Sequence, residues 1–461
     1  MEELLRNRKS GWEEISEEEK EKIFKFTDEY IEFMNSAKTE REIVKKTEEI
    51  VRKNGFKSLE EYSELYPGDK VYYINREKNI YIAVIGEENL EGGINIVGAH
   101  ADSPRVDLKP NPLYQDGNLA YLKTHYYGGI KKYQWTAIPL AIHGVIVKEN
   151  GEKVYISLGE NDDEPVFTIT DLLPHLAKEQ QQKKVSEAIN AENLSLLIGS
   201  IPSKDDKDSK DRVRDNILRL LNRKYGITEE DFVSSELEVV PAFKARTLGL
   251  DESLISAYGQ DDKVCVYTSL RAILNIEKPK KTAVCLFSDK EEIGSMGNTG
   301  MESHVFDTFI SELLNKTRIN RPNLLDKVFC NSKMLSADVD AGVDPLYISV
   351  SDTNNAGFLG LGVSLNKYTG SGGKYNASDA NAEYVGEIRR VFKKNGIRYQ
   401  VAELGKTDVG GGGTIAYILA NKGVDVIDCG VPVLSMHSPY EVTCKYDIYY
   451  AYKAYEAFFN M

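Results

Sequence analysis

Two adjacent glutamates, Glu291 and Glu292, stand in the sequence FSDKEEIGSMGNTG at residues 287–300. The apolar run over 282–287 that leads into them predicts a buried parallel strand. Open α/β sheets bind their ligands at the carboxyl ends of the strands. Neighbouring carboxylates at such an edge can divide the work, since one can bind a metal ion while the other moves a proton. Taken alone, a Glu-Glu pair in a charged protein is more often part of a solvated loop.

Further residues of metal-binding types follow a predicted strand or begin a predicted helix, namely His100, Asp261, Asp338 and His437. Asp102 comes two positions after the first histidine and can hold its imidazole in one tautomer while the other nitrogen binds a metal. The pair Asp261-Asp262 opens a predicted helix and can simply cap it, although a carboxylate of this pair can also bridge two divalent ions. Each residue by itself has a common structural explanation. Their joint position at one sheet edge favours a metal centre, and mixed carboxylate and imidazole ligands suit Zn²⁺, Mn²⁺ or Co²⁺.

The elements that must position these residues alternate between strand and helix patterns. The first 65 or so residues have the apolar spacing of helices, and short strands are predicted over 71–74, 79–85 and 93–97. From about residue 245 helices and strands alternate again, beginning with a helix over 264–274. We therefore expect an α/β fold with a mixed, mostly parallel sheet flanked by helices.

Residues 106–240 have a different texture. Strand-like runs with glycine turns are predicted over 121–127, 138–147 and 154–158, and a charged helical stretch over 178–224. A chain of 461 residues is long enough for two domains. We therefore interpret 106–240 as a β-rich domain inserted into a catalytic domain that consists of residues 1–105 and 241–461.

The composition excludes several classes of partner. A net charge of −14 argues against nucleic acid and anionic membranes. Apolar runs fall well short of the roughly 20 residues that span a bilayer, and the N-terminal segment lacks the apolar core of a signal peptide. The five cysteines are scattered without CxxC spacing, as is typical of reduced thiols. We expect a cytoplasmic protein.

Motifs of other enzyme classes do not occur in the sequence. It contains no G-x-x-x-x-G-K-[ST], no G-x-S-x-G and no H-E-x-x-H. The glycine run over 410–413, which includes Gly411, lacks the lysine of a phosphate-binding loop. We interpret it as a close backbone approach or a loop that faces the substrate.

The order of the motifs resembles the co-catalytic dinuclear zinc exopeptidases and, more closely, the aspartyl aminopeptidase family. The matching phrases are GAHADSP at 98–104, DKEEIGS at 289–295, SAD at 336–338 and VPVLSMHS at 431–438. The resemblance extends over nearly the whole chain and includes the insertion. It implies a zinc-exopeptidase-like fold and a metal-dependent aminopeptidase that removes N-terminal residues from peptides, with Asp and Glu as the candidate preference.

The resemblance also implies two divalent ions per subunit. Zinc is the expected metal, and manganese and cobalt are the alternatives. One ion would be bound by His100 and Asp338, and the other by Glu292 and His437. Asp261 would bridge the two ions.

Other residues are implied to handle the proton and the substrate. Glu291 would be the general base, and Asp102 would orient the first histidine ligand. Lys374 resembles a family lysine near the substrate's side chain, and Asp408 a residue near its amino terminus. His175 is the candidate for a family histidine that reaches into a partner's site.

The insertion would be the family's dimerisation and lid domain, and the assembly a dodecamer built from dimers. Two alternatives stay open. The first is a related dinuclear hydrolase with other substrates, such as a deblocking aminopeptidase or an amide deacylase. The second is a metal-binding scaffold without activity, against which the additional, non-ligating Glu291 argues.

Overall fold

The computed structural model of the chain describes residues 8–205, 208–319 and 321–461. Its residues divide into two units. Unit 1 comprises the described parts of Met1–Asp102, Ala245–Met436 and Glu441–Met461, and unit 2 comprises those of Ser103–Lys244 and His437–Tyr440. The sequence placed the last of these segments in the catalytic domain, whereas it groups with unit 2. Residues 1–7 are part of the N-terminal segment from which the sequence predicted no signal peptide, and they lie outside the described residues.

The helices of the described residues carry ordinary start signals. Ser16 accepts a hydrogen bond from the Glu19 amide at 3.2 Å, and Glu42 accepts one from the Thr39 amide at 3.2 Å, so both N-terminal helices are capped. In chain order the helices are α1 Glu17–Ser36, α2 Glu40–Lys53, α3 Lys178–Gln181, α4 Val185–Ala188, α5 Arg212–Tyr225, α6 Gln260–Leu274, α7 Val305–Lys316, α8 Leu324–Cys330, α9 Ala382–Lys394, α10 Ala416–Ala420 and α11 Lys445–Phe459. None of the described helices has both the length and the apolar character that crossing a membrane requires.

The strands are short, and most have buried side chains. In chain order they are β1 Lys57–Ser58, β2 Lys70–Asn75, β3 Asn79–Val84, β4 Asn95–His100, β5 Arg105–Asp116, β6 Leu119–Tyr127, β7 Leu140–Val147, β8 Lys153–Leu158, β9 Leu196–Gly199, β10 Ser235–Pro241, β11 Arg246–Leu248, β12 Leu254–Ala257, β13 Ala283–Ser288, β14 Lys333–Ser336, β15 Asp340–Ala341, β16 Val363–Asn366, β17 Tyr399–Ala402, β18 Asp425–Gly430, β19 Pro432–Leu434 and β20 Glu441–Cys444.

A mixed sheet forms the centre of unit 1. Within the described residues it has nine strands in the order β1-β2-β3-β13-β4-β14-β18-β16-β17. The run from β13 through β4 and β14 to β18 is parallel throughout. The predicted α/β class with a mixed, mostly parallel sheet is therefore confirmed.

Both faces of this sheet are covered. Side chains along β13 alternate between two apolar clusters, with Cys285 and Phe287 in one and Val284 and Leu286 in the other. Strands buried on both faces read as continuous apolar runs, which is why residues 282–287 show no polar alternation. Helices α6 and α11 contribute to the first cluster and α7 and α8 to the second.

Register brings the ends of the central strands to one edge. Ser288 at the end of β13 pairs with His100 at the end of β4, and Ser336 at the end of β14 pairs with Gly98. The segments that follow these strands therefore begin side by side, and they contain the candidate site residues.

Smaller sheets complete the two units. In the described part of unit 1, five strands pair in the order β11-β12-β20-β19-β15. Unit 2, as described, has six strands in the order β8-β7-β10-β5-β6-β9, all paired antiparallel. The prediction of a helical stretch over 178–224 is wrong in part, because β9 lies within it; residues 206 and 207 of that stretch lie outside the description.

Replacing Phe287 by alanine tests the two-faced packing of the sheet. This side chain is fully buried, so Phe287→Ala should lower the free energy of unfolding by about 3–5 kcal/mol. Urea unfolding followed by circular dichroism measures the change. Leu250→Ala is the control, because that side chain is fully exposed and should change the free energy by no more than about 0.5 kcal/mol. Equal effects would contradict the packing described.

Candidate metal centre

Five predicted site residues of unit 1 lie together at the carboxyl edge of the central sheet. The Nε2 atom of His100 is 3.2 Å from Asp261 Oδ1, 3.8 Å from Glu291 Oε2 and 3.9 Å from Asp338 Oδ1. Two groups have ligand atoms that all lie within 4.8 Å of one another. One consists of His100, Glu291 and Asp338, and the other of His100, Asp261 and Glu292.

Asp102 holds both the histidine and the glutamate pair. The His100 Nδ1 atom lies 3.0 Å from the Asp102 carbonyl oxygen and 3.4 Å from its Oδ1. The same carboxylate accepts hydrogen bonds from the amides of Glu291 and Glu292, each at 3.2 Å. The sequence predicted the contact with the histidine and missed the second role, which only the fold can show.

The glutamate pair sits in a tight turn, the 3₁₀ helix Glu291–Ile293. Lys290 before it and Gly294 after it both have left-handed backbones, with φ of 65° and 96°. The Ser295 amide donates to the Lys290 carbonyl at 2.7 Å and closes the loop around the turn. Glycine suits the second position because it lacks a Cβ atom.

Burial makes two of these carboxylates, those of Glu292 and Asp338, hard to ionise. Desolvation, followed by the charge of Asp261, raises the pKa of Glu292 well above its ordinary value. Desolvation also raises the pKa of Asp338, to which Asp262 and Glu291 add repulsion. For His100, burial opposes the charged imidazolium, but hydrogen bonds to Asp102 and Asp261 outweigh it and raise the pKa.

This donor set fits divalent metal ions. Ionised carboxylates this close together repel one another, and a cation bound among them offsets the repulsion. Oxygen ligands combined with one imidazole match zinc, manganese or cobalt rather than the soft thiolate sites of copper. The predicted ligand types therefore agree with the geometry, while the assignment of each residue to one ion stays a prediction.

His437 belongs to unit 2. Its Nδ1 atom lies 3.0 Å from the carbonyl oxygen of Gly129, and its φ is 63°. Among the described residues it is not part of either candidate metal group. Its role as a ligand remains a prediction of the family resemblance.

Lys374 lines a separate cavity of about 360 Å³ in unit 1. Its ammonium group is 2.9 Å from Asp379 Oδ2 and 3.7 Å from the centre of the Tyr368 ring. Tyr368 in turn donates a hydrogen bond to Glu403, which also lines the cavity. The cavity thus carries both signs of charge, and the substrate-binding role of Lys374 remains a prediction.

The glycine run borders the same cavity through Gly410. A Cβ atom on Gly411 would lie 2.0 Å from the Gly370 carbonyl oxygen, so this residue can only be glycine. Of the two readings of the run, the close backbone approach is thus present at this position. Asp408, just before the run, is exposed and has a φ of 67°, and its role at the substrate's amino terminus stays a prediction.

His175 lies in unit 2, in the 3₁₀ helix Pro174–Leu176. It is exposed and lines a groove of about 830 Å³ together with Asp171 and Glu179. Its reach into a partner's site stays a prediction of the family resemblance.

Two further buried carboxylates lie near the centre and were not predicted as site residues. Asp262 accepts a hydrogen bond from the His100 amide at 3.2 Å, and Glu441 accepts one from the Asp261 amide at 3.0 Å. The sequence pointed to the first only as a member of the Asp261-Asp262 pair. The second lies 180 residues away in the chain and carries no local signal.

Gly430 provides a test of the Asp338 position. A Cβ atom there would lie 1.7 Å from the Asp338 carbonyl oxygen and 2.5 Å from its carbonyl carbon. Gly430→Ala must therefore displace the Asp338 backbone, and we expect zinc affinity to fall by about 10-fold or more. Competition with a chromophoric chelator measures the affinity.

The matched control is Gly386→Ala in α9, where a Cβ atom would meet only Arg390 Nη1 at 3.7 Å. This variant should bind zinc as the unchanged protein does. Unchanged affinity in Gly430→Ala as well would remove Asp338 from the metal centre.

Comparison with known families gives one clear result. Residues 33–459 match the model of the family described as aminopeptidase I zinc metalloprotease (M18). A probable M18 family aminopeptidase 1 of Clostridium acetobutylicum is 49% identical over 99% of this chain and 99% of its own length. A probable M18 family aminopeptidase 1 of Thermotoga maritima is also 49% identical, over 98% of this chain and 98% of its own length.

Solved structures agree. The crystal structure of an M18 family aminopeptidase from Thermotoga maritima is similar with a TM-score of 0.95 and 48% identity, covering 99% of each chain. Aminopeptidase I from Clostridium acetobutylicum gives 0.93 and 48%, over 99% of this chain and 100% of that one. The mApe1 dodecamer of S. cerevisiae, at 22% identity and a TM-score of 0.75 over 94% of this chain and 95% of that one, shares the fold.

Proposed function

The chain belongs to the M18 family of aminopeptidase I zinc metalloproteases, and we propose that it works through two divalent ions held by the residues around His100. Its activity as a metal-dependent aminopeptidase follows from the family, as the motifs predicted. The observation that carries the proposal is the clustering of His100 with four carboxylates in two overlapping candidate metal groups. The imidazole Nε2 atom would bind one ion, so carboxylates of these groups would have to hold the other.

We propose that His100, Asp338, Glu292 and His437, together with Asp261, would hold the two ions. Zinc is the metal expected from the family, and manganese and cobalt suit the same oxygen-rich donors. When bound, such ions polarise the scissile carbonyl group and acidify water. The remaining residues would then have to move the proton and bind the substrate.

Glu291 is the residue we propose to move the proton. As general base it would take a proton from the attacking water, and it would then deliver that proton to the leaving amine. The backbone that carries this side chain is held by the hydrogen bond from the Glu291 amide to the Asp102 carboxylate. Asp102 also contacts the His100 ring, through its carbonyl oxygen at 3.0 Å and its carboxylate at 3.4 Å, so one residue positions both the proposed base and a proposed ligand.

We propose that the carboxylates of the centre also select N-termini. Four of them, those of Asp261, Glu291, Glu292 and Asp338, lie around one imidazole. Two divalent ions would balance four negative charges, and a carboxylate oxygen beside the ions would be able to accept a hydrogen bond from the α-amino group of a peptide. An internal peptide bond offers no such group, so the site would favour removal of N-terminal residues.

For substrate preference we propose acidic N-terminal residues, recognised by Lys374. The support is a cationic side chain on the wall of a cavity that could hold a residue's side chain. For assembly we propose a homo-oligomer, specifically a dodecamer built from dimers. The dodecamer of the yeast relative supports this proposal. The cytoplasm is the compartment consistent with the reduced cysteines.

Glu291→Gln separates the base from the ligands. Glutamine keeps the size of the side chain but cannot accept the proton, so we expect kcat to fall by about 100-fold or more at unchanged zinc content. Aminoacyl-p-nitroanilide hydrolysis and elemental analysis give the two readings.

His437→Ala is the contrasting variant, since loss of a ligand should lower zinc content together with activity. If Glu291→Gln loses its zinc, the residue is a ligand, as its place beside His100 and Asp338 would then indicate. Near-normal turnover in Glu291→Gln would remove it from catalysis altogether.

Lys374→Ala tests the substrate preference. On a panel of Asp, Glu, Leu, Lys and Ala p-nitroanilides, we expect kcat/KM for Asp and Glu to fall by about 10-fold or more, the scale of one lost charge-assisted contact, with little change for Leu. Lys367→Ala is the matched control, because Lys367 pairs with the same Asp379 carboxylate.

An equal loss on Leu and Asp substrates would remove Lys374 from the specificity pocket. Release from N-acetylated substrates only, in the unchanged enzyme, would instead favour a deacylase.

A further inference from the structure

Glu441 is a buried carboxylate outside the predicted site. It begins β20 and is 1% exposed. Its Oε2 atom accepts a hydrogen bond from the Asp261 amide at 3.0 Å, and its carbonyl oxygen accepts one from Gln260 Nε2 at 2.7 Å. Both polar ends of this residue therefore hold the two residues that open α6.

The start of α6 needs such an acceptor. The backbone at Asp261 and Asp262 is not helical, with φ and ψ of −75° and 106° at the first and −116° and 23° at the second. Amides at a helix start have no carbonyl one turn earlier to bond, and a buried amide must find another partner. The carboxylate of Glu441 supplies it.

Further contacts hold the backbone of Glu441 and the side chain of Gln260 in place. Glu441 pairs with Ala257 where β20 meets β12, directly before the turn into α6. The Gln260 side chain donates to the Ile255 carbonyl at 3.3 Å and accepts from the Tyr30 hydroxyl at 3.3 Å. The acceptor is therefore held by the sheet rather than by a mobile loop.

The same kind of bond recurs around the centre. Carboxylates accept hydrogen bonds from the amides of four candidate site residues, and the pairs are Asp102 with Glu291 and with Glu292, Asp262 with His100, and Glu441 with Asp261. Hydrogen bonds to a carboxylate are stronger and shorter than those to neutral acceptors. This arrangement fixes the backbone beneath the ligands while leaving their side chains to the metals.

We propose that Glu441 is a positioning residue of the metal centre, which sets the place of the Asp261 carboxylate through the Asp261 amide. The inference rests on the proposed two-ion centre. This role requires that the Glu441 side-chain oxygen reach the Asp261 amide. The charge of the side chain matters less than its length.

Three substitutions separate reach from charge. Glu441→Asp keeps the charge and shortens the side chain by one methylene group, so zinc affinity should fall by about 10- to 100-fold, the usual effect of losing a residue that supports a ligand. Glu441→Gln keeps the reach of an oxygen acceptor and should bind zinc within a few-fold of the unchanged protein. Glu441→Ala should resemble Glu441→Asp.

Asp447→Ala is the matched control. Asp447 is fully buried and accepts hydrogen bonds from the amides of Gly360 and Gly362, each at 2.7 Å. It has the same kind of contact as Glu441, away from Asp261. We expect this variant to lower thermal stability and to leave zinc affinity unchanged.

The measurement is chelator competition on the full chain after metal removal, with circular dichroism to verify folding. The visible absorption of the Co²⁺-loaded protein, which reports ligand geometry, should change in Glu441→Asp and not in Asp447→Ala. Wild-type affinity in Glu441→Asp, or equal losses in Glu441→Asp and Asp447→Ala, would overturn the positioning role. A larger loss in Glu441→Gln than in Glu441→Asp would do the same, because it would assign the effect to charge. An unchanged protein that binds no zinc would instead overturn the proposed centre, and this inference with it.

Discussion

Mutual repulsion among closely spaced carboxylates, of which Asp261 is buried and the others are partly buried, is the constraint on which the rest of this structure depends. Four of them surround a single imidazole at the edge of the central sheet. Two like charges 4 Å apart repel by about 4 kcal/mol at an effective dielectric constant of about 20. A chain that gathers such groups must hold them by contacts elsewhere, and it gains their full use only when cations bind among them.

The parallel ladder supplies the first of these contacts. His100 and Ser288 end their strands in register, and Ser336 ends the next one two residues short. These strands are buried on both faces, so a shift of register by one residue would move each side chain into the opposite apolar cluster and disrupt the packing of both. Apolar packing far from the site thus holds the acidic loops together. The free energy gained by burying the core side chains offsets the repulsion among the carboxylates at the carboxyl edge of the sheet.

Hydrogen bonds from backbone amides supply the second kind of contact that holds the site together. The four carboxylate-to-amide bonds pin the backbone of His100, Asp261, Glu291 and Glu292. Two of them depend on Asp102, so the glutamate turn and the histidine cannot move independently. A side chain can adjust to an incoming ion only within the range that a fixed backbone allows, which is the physical content of a preorganised centre.

Sequence patterns could predict the fold class and the neighbourhood of His100, Glu291 and Asp338, because strand ends in a parallel sheet share an edge. They could not predict Glu441, whose contact joins residues 180 positions apart. Strands of two to four residues, such as β15 and β16, are too short for periodicity to reveal. The grouping of His437–Tyr440 with unit 2 likewise depends on tertiary contacts that no local pattern encodes.

The same electrostatic argument limits what the metal centre can recognise. In the proposed mechanism, metals and carboxylates would act on the amino end and the carbonyl group, which every peptide possesses. Preference for one N-terminal residue must therefore come from side chains apart from the ligands. The cavity bordered by Lys374, Lys406 and Glu403 has the opposing charges that such a choice requires. Because Asp379 already balances the Lys374 ammonium, an acidic substrate would have to compete with that carboxylate, and the discrimination is set by the difference between the two ion pairs.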